Sequence, residues 1–465
     1  MKKIFIILLF LLCISCLGQV PTQNDARLKS IGYEYIAANF DLYHQMQNRI
    51  YNYAETGYNE VKSSAELAEH LRLHGFLIEK GVGGLPTAFT AIFGSGSPVI
   101  GILGEYDALP EGHLCGHNVL GTAGVVASVA ISKWLSQGHS GTVKFFGCPA
   151  EEGGGGKAYM VRGHVFDGVD AMFDWHPDKQ NTVNRVSGLA NIRVRFEFHG
   201  IAAHASSNPE QGRSALDAVE AFNYMMNMMR EHIPSDSRIH YVISMGGYSA
   251  NIVPERAEVM YYIRNPKRAV VEDIFKRAIK AAEGAAMGTG TKMNYEIMSG
   301  NYERLPNDAM SEILFRNMKT VGGVNYSMEE TEFAKDILSR SGIFDFSVLD
   351  GVKRITDPCD DGTEKWVSSD VGNVTWCVPT GSIRVAAFVP AGGGHCWQQA
   401  ESAASTIGTK GMLNAARVFY LSAIDIYSYP SLLKKIKEEF NVRRGPDFEF
   451  VPLMGDRKPP FDYAK

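Results

Sequence analysis

The pattern of apolar and polar residues predicts an α/β protein. Residues 24–80 have the spacing of helices, with Leu67 and Leu71 four positions apart. Short apolar runs typical of β-strands follow at 88–93, 99–103, 143–147 and 171–175. Between them, residues 118–135 are small and apolar on most faces, which indicates a buried helix. Strands that alternate with helices favour a mixed, mostly parallel sheet covered by helices, with chemistry at the carboxyl ends of the strands.

A different pattern begins near residue 187. Four apolar residues alternate with polar ones, as in a strand with one exposed face: Ile192, Val194, Phe196 and Phe198. A helix, two strands, a helix and a strand are then predicted, at 214–232, 238–245, 257–264, 271–286 and 292–298. This order, β-α-β-β-α-β, predicts a ferredoxin-like α+β insert.

The insert divides the chain into domains. We expect a signal peptide at 1–18, the first part of a catalytic domain at 19–186, the insert at 187–302 and the second part of the catalytic domain at 303–465. The second part has a helical region at 307–340, a strand at 382–389 and a long helix at 400–427.

The N-terminus has the layout of an export signal. Lys2 and Lys3 precede an apolar run at 4–16, which is short for a membrane span. We therefore expect an exported protein, either released into the periplasm or tethered to the membrane through a lipidated Cys16.

Composition narrows the class of partner. The chain has 465 residues, 45% hydrophobic and 21% charged, with a formal net charge of -5. No basic field is present for nucleic acid, so small solutes are the expected partners. Two of the seven cysteines lie in the signal segment, and an odd set of five remains, which does not indicate a disulfide framework.

Candidate metal ligands follow the predicted strands. Cys115 and His117 are separated by one glycine, so both side chains can converge on zinc, manganese or cobalt if the loop curls. Taken alone, this short motif is explained better by a structural turn. His176 and His395 each follow another predicted strand, and a histidine alone is more often structural than a ligand.

Paired carboxylates follow the strand at 143–147. Glu152 can bind metal while Glu151 faces a metal-bound water as a base, although a solvated acidic loop is the ordinary explanation for such a pair. A phosphate loop is disfavoured, because the P-loop spacing is absent. Together the strand ends supply five plausible ligands, enough for two metal ions: Cys115, His117, Glu152, His176 and His395.

These residues stand in ordered motifs that resemble the M20 metallopeptidases, over about residues 45–430. The motifs are EYDALP at 105–110, CGHN at 115–118, PAEEG at 149–153, HP at 176–177, AHA at 203–205 and NIVP at 251–254. The similarity is to the amidohydrolase branch, which includes hydrolases of hippurate, indole-acetyl-amino acids and aminobenzoyl-glutamate. The segments SDVGNVTW at 369–376 and GTKGM at 408–412 are most similar to the last of these.

The resemblance implies a role for each residue. The five ligands would hold two divalent ions, Zn²⁺ or Mn²⁺, with Cys115 as the bridge. Glu151 would be the general base, and Asp107 would orient the ligands. The insert would be a lid and dimerisation domain whose His204 reaches across a homodimer to polarise the scissile carbonyl. Asn251 and Arg264 occupy positions that resemble substrate contacts.

The predicted function is hydrolysis of the amide bond of a small N-acyl amino acid. A dipeptidase of the same family, a silent metal- or ligand-binding protein of the same fold and a Cys115 nucleophile paired with His117 are the alternatives. A related second subunit is a further possible partner.

Two departures from the family pattern stand out. Cys396 follows His395 where serine is more usual, and an extended loop at 344–367 carries Asp360, Asp361 and Glu364.

Overall fold

The computed structural model describes residues 26–358 and 368–461. Outside them lie the predicted signal segment with Cys16, and Cys359, Asp360, Asp361 and Glu364 of the extended loop.

The larger of two sheets forms the catalytic domain. Its seven strands are β1 (Leu77–Lys80), β2 (Phe89–Ser95), β3 (Val99–Glu105), β4 (Gly141–Cys148), β5 (Ala171–Asp178), β6 (Thr182–Asn184) and β11 (Thr380–Ala386). They stand in the order β1-β2-β4-β3-β5-β11-β6, with β4, β3, β5 and β11 parallel at the centre and the outer pairings antiparallel. The predicted α/β class with a mixed sheet is confirmed.

Helices cover both faces of this sheet. They are α1 (Ile31–Ala38), α2 (Phe40–Tyr53), α3 (Val61–Leu73), α4 (His117–Leu135), α5 (Gly156–Arg162), α8 (Asp308–Val321), α9 (Met328–Arg340), α10 (Val371–Thr375), α11 (Trp397–Ala404), α12 (Thr406–Ser428) and α13 (Pro430–Arg444). Ile102 of β3 packs in the core under α4 and α12, whereas its neighbour Leu103 packs in the core under α5 and α10. This alternation is what a strand buried on both faces requires.

Helix α4 is the centre of the larger core. Within the described residues it alone has the length and apolarity of a membrane span, but 89% of its apolar window is buried inside the molecule. It packs on β3 and on α12. The prediction of a buried helix at 118–135 therefore agrees with the structure.

Two predicted helices are wrong in part. Residues Leu77–Lys80 pair with β2 as an edge strand instead of continuing the helical region, because Gly75, at φ 87°, reverses the chain after α3. The helix expected at 400–427 is divided at Ser405, whose hydroxyl accepts the backbone N–H of Ile407 and so caps α12.

The second sheet belongs to the insert. Its strands are β7 (Ala190–His199), β8 (Arg238–Met245), β9 (Arg256–Asn265) and β10 (Lys292–Asn301), in the order β10-β7-β9-β8 with all pairings antiparallel. Helices α6 (Ala215–Met229) and α7 (Arg268–Thr289) complete the predicted β-α-β-β-α-β order and pack in the same core as β7 and β9.

Residues 446–461, here called the C-terminal strap, connect the two domains. Leu453 packs in the core of the insert, and the adjacent Met454 packs in the core under α5 and α10. Arg457 extends this connection, because its Nε lies 2.9 Å from a carboxylate oxygen of Glu296 on β10. The domain that we predicted at 303–465 therefore also contributes to the packing of the insert.

Candidate metal centre

The turn after β3 presents Cys115 and His117 together. Gly116 between them has φ 75°, which glycine adopts without strain. A Cβ at position 116 would lie 2.8 Å from the ring of Phe388. The close contact between this turn and Phe388 therefore also requires glycine. His117 is the first residue of α4. The helix backbone therefore limits the directions in which the His117 imidazole can point.

The turn after β4 presents the two carboxylates. Ala150 has φ 57°, and its backbone N–H donates to Glu60 Oε1 at 2.8 Å, so a buried carboxylate holds this strained turn in place. A Cβ on Gly156 would lie 1.9 Å from the carbonyl oxygen of Pro149. The glycine run therefore allows a tight turn after β4. This turn places Glu151 and Glu152 at the end of the sheet.

The structure brings the five predicted ligands together in two groups. Cys115, His117 and His176 offer atoms within 4.8 Å of one another, and so do Cys115, Glu152 and His395. Cys115 Sγ lies 3.2 Å from His176 Nε2, and His395 Nε2 lies 3.6 Å from Glu152 Oε1. Because both groups contain the Cys115 sulfur, the arrangement has the form of two cation sites that share one ligand.

Hydrogen bonds orient the two buried imidazoles. His117 Nδ1 donates to Asp107 Oδ1 at 2.9 Å, and His176 Nδ1 donates to the carbonyl of Pro177 at 2.8 Å. Each ring therefore presents Nε2 to the cluster, and His117 Nε2 is buried without a hydrogen-bond partner. A buried ring nitrogen without a hydrogen-bond partner fits a divalent metal ion, since such an atom is otherwise costly to bury.

Asp107 connects the two sides of the cluster. Its Oδ2 accepts the backbone N–H of Glu152 at 2.9 Å, while Oδ1 holds His117. Its carboxylate is buried, and its role in supporting the ligands stays a prediction.

The electrostatics suit metal ligation and proton transfer. Burial, together with the nearby charge of Arg384, lowers the pKa of His176 to about 4, so its imidazole is neutral. Burial raises the pKa of the Cys115 thiol to about 12, and a coordinated cation would deprotonate it. Burial and then the carboxylates of Glu105 and Asp370 raise the pKa of Glu151 well above its usual range, so this carboxyl binds a proton more tightly than a free glutamate does.

Three predicted site residues lie apart, on the insert. His204 is exposed, and its Nδ1 accepts the backbone N–H groups of Ser206 and Ser207 at 3.3 and 3.2 Å. Asn251 accepts a hydrogen bond at its Oδ1 from the hydroxyl of Ser249. Arg264 Nη1 lies 3.4 Å from Ser368 Oγ of the catalytic domain, and its guanidinium stacks on Tyr262. Among the described residues, none of the three belongs to the ligand groups, and their roles stay predictions.

Sequence reasoning assigned no role to three buried charged residues beside the cluster. Lys157 Nζ lies 2.6 Å from Glu105 Oε1 and 2.7 Å from Asp370 Oδ1. A lysine directly after a glycine run usually suggests a phosphate loop or an exposed surface. The available signal was its position shortly after the Glu151 and Glu152 pair, at the end of a predicted strand.

Sequence comparisons find a matching family model and similar proteins. The family model described as the M20 peptidase dimerisation domain matches residues 185–288. The chain is 35% identical to the B component of p-aminobenzoyl-glutamate hydrolase of Escherichia coli (strain K12), over 87% of this chain and 93% of that protein. It is 30% identical to Xaa-Arg dipeptidase of Mus musculus, over 77% and 79%.

A solved structure has the same fold. The protein resembles a dinuclear metal-binding peptidase of the M20 family from Bacillus subtilis, with a TM-score of 0.56, 16% sequence identity and coverage of 84% of this chain and 99% of that one.

Proposed function

Because the chain belongs to the M20 family of metal-dependent peptidases and amidohydrolases, we propose that it hydrolyses the amide bond of a small N-acyl amino acid similar to aminobenzoyl-glutamate. The observation that carries this proposal is the position of Glu151. Its carboxylate stands within 4.8 Å of His117, at the edge of a five-ligand cluster. Glu151 is not one of the five ligands, which leaves its carboxylate for proton transfer beside the cluster.

The proposed cofactor is a pair of divalent ions, Zn²⁺ or Mn²⁺. Cys115, His117 and His176 would hold one ion, and Cys115, Glu152 and His395 would hold the other. When bound, two such ions lower the pKa of a water between them and polarise the scissile carbonyl.

Glu151 supplies the proton transfers. Its carboxylate takes a proton from the attacking water and returns it to the nitrogen of the leaving amine. Asp107 keeps His117 Nδ1 protonated and its Nε2 available throughout. A Cys115 nucleophile would leave Glu151 without a role and requires a thiolate that burial disfavours.

We propose that the active unit is a homodimer formed through the insert. Strand β8 lies at one edge of the four-stranded sheet and exposes Tyr241, Val242 and Ile243. An uncovered apolar edge of this kind is suited to pairing with a second copy. In such a dimer His204 of one subunit would polarise the carbonyl in the other. A related second subunit is the alternative, because the similar E. coli hydrolase is named as having two different components.

Substrate recognition is proposed to involve Asn251 and Arg264, with the guanidinium pairing with the substrate carboxylate. The resemblance to an Xaa-Arg dipeptidase makes dipeptides the second substrate class to test. We further propose that the protein is exported, as its first residues predict.

Replacing Glu151 by glutamine tests the function. We expect Glu151→Gln to bind two metal ions per chain but to lose kcat roughly 100- to 10,000-fold, because only the proton acceptor is removed. The assay is hydrolysis of aminobenzoyl-glutamate, hippurate and Xaa-Arg dipeptides with Zn²⁺ or Mn²⁺, beside metal analysis of the same samples.

The matched control is Glu111→Gln, an exposed glutamate of the same region. It should keep full activity. Substantial turnover by Glu151→Gln would refute the assigned base, and a metal-loaded wild type that cleaves none of these substrates would refute the proposed function.

A further inference from the structure

Three buried charges form a network directly behind the metal ligands. We call Lys157, Glu105 and Asp370 the buried triad. Lys157 is 0% exposed, and its ammonium lies between the two carboxylates. Asp370 also accepts the backbone N–H of Lys157 at 2.9 Å, so one carboxylate fixes both ends of the lysine.

The triad reaches the candidate metal centre through Glu105. One oxygen, Oε1, lies 2.6 Å from Lys157 Nζ, and the other, Oε2, lies 3.4 Å from His117 Nε2. That nitrogen is the atom that His117 would offer to a metal ion. Glu105, His117 and Glu151 also offer atoms within 4.8 Å of one another. Glu105 is therefore close enough to compete for the cation that His117 would bind.

The charge of Lys157 decides how Glu105 behaves. Burial disfavours an ammonium, but Asp370 and Glu105 outweigh it and hold the pKa of Lys157 well above its usual range. A buried carboxylate without a counter-ion is costly, so Glu105 freed from Lys157 would turn toward the nearest positive charge. In the loaded protein that charge would be the metal ion, for which a carboxylate is a good ligand.

We propose that Lys157 is a positioning residue that clamps Glu105 beside His117 and so keeps this carboxylate out of the coordination sphere of the metal pair. The proposal rests on the metal centre of the proposed function. Lys157 touches neither metal nor substrate; it acts through Glu105. A purely structural ion network would instead contribute to folding and leave the metal coordination unchanged when replaced.

Two double variants with equal charge separate these possibilities. Lys157→Met with Asp370→Asn leaves Glu105 as the single unpaired carboxylate, whereas Lys157→Met with Glu105→Gln leaves Asp370. The apo-proteins are titrated with Co²⁺ alone, and the visible absorption bands of the bound cobalt report its coordination number.

We expect the variant that retains Glu105 to show weaker, shifted cobalt bands and a Co²⁺ affinity changed roughly 10- to 100-fold, as for other groups that support metal ligands. The variant that lacks Glu105 should keep the wild-type spectrum. The control is Lys144→Met. Lys144 is half-buried and donates a hydrogen bond to the carbonyl of Val165, and this variant should have the cobalt spectrum and Co²⁺ affinity of the wild type.

The outcomes are distinct. Equal spectra for the two double variants would overturn the positioning role, and so would a wild-type spectrum for a folded Lys157→Met single variant. If the wild type itself bound no Co²⁺, that result would refute the proposed metal centre. The inference about Lys157 rests on that centre and would be refuted with it. Circular dichroism establishes which variants fold, and the two double variants suffice if the single variant does not.

Discussion

At the scale of single residues, hydrogen bonds from neighbouring side chains orient the candidate ligands. Asp107 is the clearest case, because its two oxygens fix the ring of His117 and the backbone of Glu152. The motif at 105–110 made a supporting carboxylate predictable. Which ligands it would contact was not predictable, since Glu152 lies 45 positions further along the chain.

Removing Asp107 should weaken metal binding without removing any ligand. We expect Asp107→Ala to lower the affinity for Zn²⁺ or Mn²⁺ roughly 10- to 100-fold, because His117 loses the partner that sets its tautomer and orientation. Competition with a chelating dye measures this change. The control is Asp167→Ala, whose side chain is exposed and forms an ion pair with the exposed His164. An unchanged affinity in Asp107→Ala would contradict the supporting role.

At the scale of elements, strong local patterns were predicted well, and the exceptions depended on distant partners. The central strands and α4 carry apolar runs whose burial follows from composition, so their positions agree with the sequence analysis. Strand β1 has little apolar pattern, with Leu77 largely exposed, and exists because β2 pairs with it. The C-terminal strap likewise has no periodicity that would indicate its contacts with both domains.

The strap offers a test of how the domains are held together. Leu453→Ala should lower the free energy of unfolding by about 2–5 kcal/mol, as is usual when a buried leucine is truncated. Hydrogen exchange should also increase in β10, which the strap contacts through Arg457. Chemical denaturation and exchange mass spectrometry give the two measurements.

A neighbouring residue of the strap provides the comparison. Val451 is 63% exposed, so Val451→Ala should change stability by less than about 0.5 kcal/mol. Equal effects of the two substitutions would mean that the strap does not join the cores of the two domains.

At the scale of the whole molecule, the predicted His204 lies away from the cluster in a single chain. It stands on an exposed loop of the insert, while β8 leaves one edge of the insert sheet open. A homodimer through this edge would complete each site with a histidine from the other subunit, and function would then depend on assembly.

Mixing two inactive variants tests this dependence. A hybrid of Glu151→Gln and His204→Ala subunits has one site with both groups intact, so a randomly mixed dimer should recover roughly a quarter of wild-type activity. Each variant alone should stay inactive. The variants are unfolded and refolded together, and activity is measured beside the mass of the complex by light scattering.

No recovery in a confirmed hybrid dimer would place His204 in its own subunit's site or remove it from the mechanism. Full activity of the His204→Ala variant alone would remove it as well.

The sequence by itself determined the fold class, the order of elements in the insert and the identity of the five candidate ligands. These follow from local periodicity and from residue chemistry at strand ends, which depend on neighbours along the chain. The tertiary structure alone decided that Lys157 is paired inside the protein and that Leu453 and Met454 pack in different cores. Those facts depend on contacts between segments that are far apart in sequence. Local patterns of apolar and polar residues do not indicate which distant segment a given segment will contact.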